Sequence, residues 1–370
     1  MRITRISLTD FRNYEHFDLP VGERVTILVG PNAAGKTNAM EAIRLLTTGS
    51  SFRRPRWDEL VRHGSQVAVA RLFAQGEGRL AEVALTAQSD GVHSFSVNGK
   101  TSRAPRGIAG VIPSVVFTPD DLTLVKGPAE HRRAELDDIG DQLSATYARL
   151  RREYERIVRQ RNRLLKDSGA EMAQLAVWDE RLVNLGSRLR MHRARLVGRL
   201  ASRAEPFHTR VCPGERLEVG YLKGKNEARE IVRAETTVEA EAAGLSHELH
   251  ECREEEVARQ MTLAGPHRDD VEFVVNGRRA RSFASQGQAR TIVLAWKMAE
   301  LAVTEELTGG SAVLLLDDVM SELDATRRRA LTAEVGERVQ TFITTTTTAY
   351  FDPDLLSQAS VVIIGGGGDG

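Results

Sequence analysis

Gly30-Pro31-Asn32-Ala33-Ala34-Gly35-Lys36-Thr37 decides how this chain is read. Two glycines, four residues between them and a following Lys-Thr make the pattern GxxxxGK[ST]. The apolar run Val25–Val29 before it reads as a strand, and the pattern from Lys36 to Thr47 reads as a helix. Strand, glycine loop and helix together build a cradle for phosphate. Gly30 and Gly35 let the backbone close around an anion. Pro31, Asn32, Ala33 and Ala34 complete the loop, whose amides and helix N-terminus aim N–H donors at phosphate oxygens. Lys36 is expected to reach the β- and γ-phosphates of ATP, and Thr37 to offer its hydroxyl to Mg²⁺.

Such a loop needs an acidic partner. Val313-Leu314-Leu315-Leu316-Asp317-Asp318 is an apolar strand ending in two acids. Asp317 is expected to hold the magnesium ion, and Asp318 to orient the attacking water as general base beside Lys36. Upstream, Ser285-Gln286-Gly287-Gln288 opens a helical pattern over Ala289–Val303, and Ser321-Glu322-Leu323-Asp324 follows the acidic strand. Order and spacing resemble ABC-type ATPases: phosphate loop, insertion, signature, acidic strand, D-loop. The resemblance implies that Ser285, Gly287 and Gln288 face the γ-phosphate of ATP held by a second copy, so that ATP joins two subunits and hydrolysis releases them. Two departures imply slow hydrolysis. Asp318 stands where those enzymes carry glutamate, and threonines, Thr344 to Thr346, stand in place of their switch histidine.

Composition sets the outer limits. The 370 residues are 41% hydrophobic and 28% charged, with 51 Lys and Arg against 51 Asp and Glu. Any affinity for nucleic acid must therefore come from local patches. Cys212 and Cys252 form no CxxC or Cys/His cluster, which speaks against a zinc site. No signal peptide or membrane-spanning run is evident, so a soluble, cytoplasmic protein with no membrane partner is expected.

The ATPase is expected to be split. Residues 1-125 and 265-370 read as mixed β and α, with strands over Arg2–Leu8, Val67–Ala74, Leu80–Leu85, His93–Val97, Val111–Phe117, Thr341–Thr344 and Val361–Ile364. A further hairpin is expected over Val271–Val275 and Arg278–Ser282. Residues 126-264 read as an inserted helical domain. There Leu143, Tyr147, Leu150, Tyr154, Ile157 and Leu164 alternate at three and four, with Arg161 at the missing step. After a turn at Asp167-Ser168-Gly169, Leu175, Leu182, Leu189 and Leu196 recur every seven residues. This predicts a short antiparallel coiled hairpin. A third helix carries Leu245 and Leu249. Leu143–Arg203 has 15 basic and 6 acidic residues, whereas Glu227–Gln260 has 4 and 10. The helices either neutralise one another or leave a basic face for DNA.

Further blocks narrow the family. Leu8-Thr9-Asp10-Phe11-Arg12-Asn13-Tyr14, Gly49-Ser50-Ser51-Phe52-Arg53, Val116-Phe117-Thr118-Pro119-Asp120-Asp121-Leu122 and Gly265-Pro266-His267-Arg268-Asp269-Asp270 resemble the RecF family of bacterial recombination mediators, related to the heads of SMC and Rad50 proteins. Nearly the whole chain takes part. Ala134-Glu135-Leu136 departs, lacking the family's usual aromatic. The resemblance implies an α/β ABC-type P-loop ATPase head with an inserted α-helical lobe and ATP-dependent homodimerisation. It also implies binding to gapped or double-stranded DNA without strong sequence preference. With RecO and RecR as partners, it implies support of RecA loading in DNA repair, replication restart and SOS induction. Arg53, Arg54 and Arg56 are candidates for phosphate contacts. His267 and Arg268 read as either a structural crossover or an ATP sensor. The energising subunit of a membrane transporter and a P-loop kinase of small molecules share the phosphate loop and stay open as alternatives.

Overall fold

The computed structural model describes every residue except 77, 106, 109–110, 168–171, 225–229, 233, 310–311, 336–338 and 366–370. The chain forms two compact units, Met1–Asp121 with Glu300–Gly370, and Leu122–Ala299.

The first unit is layered. Arg2–Phe11 lies between Tyr14–Pro20 and Val67–Gly76 in a six-stranded sheet of antiparallel pairs that continues through Arg79–Gln88, His93–Val97 and Lys100–Ser102. Ile3 and Ile6 both face inward although three residues apart, because the register shifts between Ile3 and Arg5. The second sheet is parallel, in the order Ala359–Ile363, Val25–Val29, Gln340–Thr345, Val313–Asp317, Ser114–Phe117. The helix Lys36–Thr48 shares one core with both sheets: Met40, Ile43 and Leu46 of the helix cluster with Leu8, Leu72 and Val83 on one side and Leu28, Leu315 and Phe342 on the other. Polar groups in this core are matched. Gln340 accepts the Ile3 N–H and donates to the Ile3 carbonyl, both at 2.7 Å, closing the backbone groups freed by the register shift.

The second unit holds helices over Ala129–Leu143, Ala145–Lys166, Met172–Val211, Val238–Glu251 and Arg253–Arg259. The middle of the predicted seam is buried: Tyr147, Leu150, Tyr154, Ile157, Leu182 and Leu189 form one cluster with Leu245 and Leu249, whereas Leu143, Leu164 and Leu196 are only half-buried and lie outside it. The second arm is longer than a short hairpin needs, 40 residues, or ~60 Å at helical rise. The turn predicted at Asp167-Ser168-Gly169 lies, beyond Asp167, outside the described residues.

The unit also carries a four-stranded sheet, Glu230–Ile231, Leu217–Lys223, Asp270–Val275, Arg278–Arg279. The strand Leu217–Lys223 was not expected, and it moves the boundary. Asp270–Val275 pairs with it along its whole length, so this strand belongs with the second unit, Leu122–Ala299, whereas the sequence reading ended its inserted domain at 264. The predicted Arg278–Ser282 strand is only two residues long. Ala280–Phe283 turns helical instead. Likewise the strand predicted from Val111 begins at Ser114, because Pro113 has no N–H to give a ladder. The helix that follows the signature runs from Gln286 to Thr308, starting in the second unit and ending in the first.

Charge is used inside this unit. The inward cations of the basic helices are neutralised: the Arg190 guanidinium binds Asp269, Glu241 and Glu248, and Arg161, at the missing hydrophobic step, binds Glu256 and Asp179. His267 belongs to the same interior. Its Nδ1 lies 2.6 Å from the Tyr154 hydroxyl and its Nε2 lies 3.2 Å from the Thr262 carbonyl. These partners suit a neutral ring that donates from Nε2 and accepts at Nδ1. Burial, with nearby arginines, pushes its pKa down to about 3 from 6.5. An unfolded chain takes up this proton below pH 6.5 and the folded one does not. Stability from this group is thus complete above that pH and lost on acidification, by about 1.4 kcal/mol per unit until pH 3 is approached. Urea unfolding at pH 7 and pH 5 should show the wild type losing about 2 kcal/mol more than His267→Gln over that interval. Parallel losses in the two proteins would contradict it.

Candidate nucleotide-binding site

The phosphate loop leaves the Val25–Val29 strand and turns into its helix through Ala33 at φ 66° and Gly35 at φ 108°. Gly35 is required twice over: its φ is left-handed, and a Cβ there would meet the Asn13 amide at 2.6 Å and the Tyr14 hydroxyl at 2.9 Å. Gly30 is required by contact alone, since a Cβ would stand 2.1 Å from the Ile364 carbonyl.

The loop and the acidic strand meet as the sequence predicts. Lys36 is buried, and its ammonium donates to the carbonyls of Gly30 at 2.8 Å and Pro31 at 2.9 Å, arching over the loop. The Thr37 hydroxyl donates to Asp317 Oδ1 at 3.1 Å. Asp318 follows in a left-handed backbone conformation, φ 54°, and lines an open pocket with Asn32, Gly35, Lys36, Thr37 and Arg53. Burial pushes the carboxyls of both Asp317 and Asp318 up. Hydrogen bonds from Thr344 and Thr37 oppose this at Asp317, and the Lys36 charge opposes it at Asp318.

Sequence reading named Thr344 and Arg53 but not the contacts that bring them into this site. The Thr344 hydroxyl donates to Asp317 Oδ1 at 2.7 Å and accepts the Asp318 N–H at 2.9 Å, so one threonine fixes both acids. It lies directly opposite Asp317 on the neighbouring parallel strand. Asn13 reaches the loop at the Ala34 carbonyl, 3.2 Å, and accepts a bond from Asn38 at 2.7 Å. Arg53 donates to Asn38 and pairs with the buried Glu41, which also binds Arg12 and Ser51. Arg53 is therefore a part of this site, and Arg56 pairs with Asp58 and Glu59. Of the three arginines proposed for phosphate contacts, the structure commits two to carboxylates.

A hard, oxygen-preferring cation fits the donor set. A buried carboxylate that resists carrying its charge, beside two hydroxyls, is stabilised by a cation. Asp317 and Thr37 are the residues that would hold it.

Ser285, Gly287 and Gln288 belong to the second unit. Ser285 is exposed at the start of the Gln286–Thr308 helix. Its hydroxyl accepts the Gln288 N–H at 3.1 Å while the Gln288 side chain accepts the Ser285 N–H at 2.9 Å, a reciprocal cap. A serine that accepts in this way keeps its own proton to donate. The Gln288 amide also donates to Glu215 at 2.8 Å. In the first unit, the Ser321 hydroxyl donates to the Asp318 carbonyl at 2.9 Å and Asp324 caps the next helix, so the segment after the acidic strand is tied to Asp318.

Among the described residues no helix is long and apolar enough to cross a membrane. Comparison with known proteins agrees with the geometry. The chain is 39% identical to the DNA replication and repair protein RecF of Synechococcus sp. (strain JA-3-3Ab), covering 98% of this chain and 96% of that one. It is 41% identical to the protein of the same name from Symbiobacterium thermophilum, covering 94% and 92%. A solved structure described as the recombination mediator protein RecF-ATPrS in the RecFOR pathway superimposes with TM-score 0.85 at 31% identity, over 95% of this chain and 94% of that one. An Smc head domain from Pyrococcus furiosus superimposes with TM-score 0.56 at 15% identity, over 98% and 92%, and shares the fold. The α/β head with an inserted helical region is thus the fold of RecF and Smc heads. The family model for the RecF/RecN/SMC N terminal domain matches residues 2–361, and with these relatives it shows that the chain belongs to the RecF family of DNA replication and repair proteins.

Proposed function

We propose that this chain is an ATP-dependent DNA clamp of recombinational repair and replication restart. The observation that carries the reading is the joined site: Lys36 over the loop carbonyls, and Thr37 and Thr344 on one oxygen of Asp317. The loop amides and Lys36 bind the phosphates of ATP, and Thr37 with Asp317 hold Mg²⁺. The metal supplies charge neutralisation at the phosphate oxygens when bound. Asp318 orients water, with its backbone held by Thr344. Its short side chain, where related ATPases carry glutamate, supports slow turnover, well below the enzyme median of ~10 per second. Ser285 and the helix behind it face the nucleotide of a second copy, donating a hydroxyl and helix amides to the γ-phosphate. Two copies then close on gapped or duplex DNA without strong base preference, and with RecO and RecR support RecA loading and SOS induction. The solved relatives, which join RecF to ATP and to the RecFOR pathway, support this.

The test is retention of a labelled gapped duplex by the full chain with Mg²⁺ and either ATP or ADP. Strong retention with ATP that disappears with ADP is expected. Equal retention with both would overturn an ATP-timed clamp.

A further inference from the structure

The helix Ala145–Lys166 carries eight cations and two carboxylates. Arg151 and Arg161 turn inward to carboxylates. The other six, Arg149, Arg152, Arg156, Arg159, Arg163 and Lys166, recur at alternating spacings of three and four and are all exposed. At 100° per residue they fall on one side of the helix, opposite the buried stripe of Tyr147, Leu150, Tyr154 and Ile157. They form a single line ~25 Å long. Arg159 has a distant partner in Glu155, at 4.0 Å. Among the described residues no carboxylate pairs with Arg149, Arg152, Arg156, Arg163 or Lys166.

Like charges at these spacings repel and weaken a helix. Among the described residues nothing in the packing of the second unit calls for them: the inner face is apolar, and its buried cation, Arg161, is already matched by Glu256 and Asp179. The line is favourable only against a polyanion. We infer that the outer face of Ala145–Lys166 is a rail for the phosphates of duplex DNA, an inference that rests on the DNA-clamp reading and assigns it a surface. Two observations favour DNA over an acidic protein. No exposed large apolar side chain lies on this helix, whereas the centre of a protein interface is apolar or aromatic. A straight row of cations, five of them arginines, suits a rod that presents a phosphate charge every ~1.7 Å of its axis.

The experiment compares the full chain, in ATP and Mg²⁺, with Arg152→Gln/Arg156→Gln/Arg163→Gln and with Lys at the same three positions. Binding of a labelled duplex is followed against salt, and ATP-driven self-association without DNA checks that the variants are folded. The Gln variant should bind roughly tenfold or more weakly, and its log-affinity against log-salt slope should fall by about 2.7, or about 0.9 for each phosphate no longer neutralised. The Lys variant should keep both. Unchanged affinity and slope in the Gln variant, with normal wild-type binding, would overturn the rail and leave the clamp standing. No duplex binding by the wild type would overturn both. Polyglutamate displacing the duplex at equal charge concentration would overturn the rail in favour of an acidic protein surface.

Discussion

Lys36→Ala should lower affinity for ATP about 100-fold while leaving the protein folded. Lys36 is the one buried ammonium over the phosphate loop among the described residues, and it bonds only to loop carbonyls, Gly30 at 2.8 Å and Pro31 at 2.9 Å. In the proposed ATP complex these bonds give way to charged phosphate oxygens, and a charge-assisted bond contributes about 1.5–3 kcal/mol, the upper part of which is a factor of 100. Calorimetric titration with ATP and Mg²⁺ reads the change directly. An affinity within threefold of wild type would mean that the loop amides alone hold the nucleotide. Arginine should not restore binding, because its planar fork does not fit where a compact ammonium arches over the loop.

Arg190→Met should cost about 3–5 kcal/mol of stability in the second unit. Arg190 is fully buried and holds three carboxylates: Asp269 at 2.8 Å, Glu241 at 2.6 Å and Glu248 at 3.0 Å. Methionine fills much of the space but leaves Asp269 and Glu241 as buried acids with one cation fewer. The expectation comes from that uncompensated charge and not from the strength of the pair itself, because a buried ion pair also carries a large desolvation cost. Arg156→Met, on the outer face of its helix, should change stability by less than about 0.5 kcal/mol. Urea unfolding of both variants separates the two environments, and a loss below about 1 kcal/mol for Arg190→Met would contradict a charge-balanced interior.

What the sequence revealed of the site depended on how local each part was. The phosphate loop is contiguous, and the chemistry of wrapping an anion prescribes Gly30, Gly35, Lys36 and Thr37 at fixed spacing. Asp317 and Asp318 were legible because an apolar strand ends on them. Thr344 was legible only as part of the threonine run in the switch-histidine position; its hold on both acids was not, because that comes from parallel pairing of Gln340–Thr345 with Val313–Asp317. Asn13 and Glu41 became site residues for a similar reason: the first strand hairpin and the phosphate-loop helix bring them to Ala34 and Arg53. In the second unit the heptads gave the helices, and Arg161 showed itself as an exception to the pattern. The strand Leu217–Lys223 stayed hidden because Gly220 interrupts its run and only pairing with Asp270–Val275 defines it. That pairing places Asp270–Val275 in the second unit.

The central claim is that ATP joins two copies through Ser285. The most direct measurement is the mass of the protein in solution with ATP and Mg²⁺, with and without DNA, for wild type and Ser285→Arg. Arginine there removes the hydroxyl that accepts the Gln288 N–H, keeps the backbone N–H bonded to the Gln288 side chain, and sets a bulky side chain at the helix start that is proposed to face the partner's γ-phosphate. The expected result is a wild-type dimer with ATP, strengthened by DNA, and a Ser285→Arg protein that binds ATP but stays monomeric. Both proteins binding ATP and staying monomeric in every condition would contradict the claim, and would favour a P-loop enzyme that works alone.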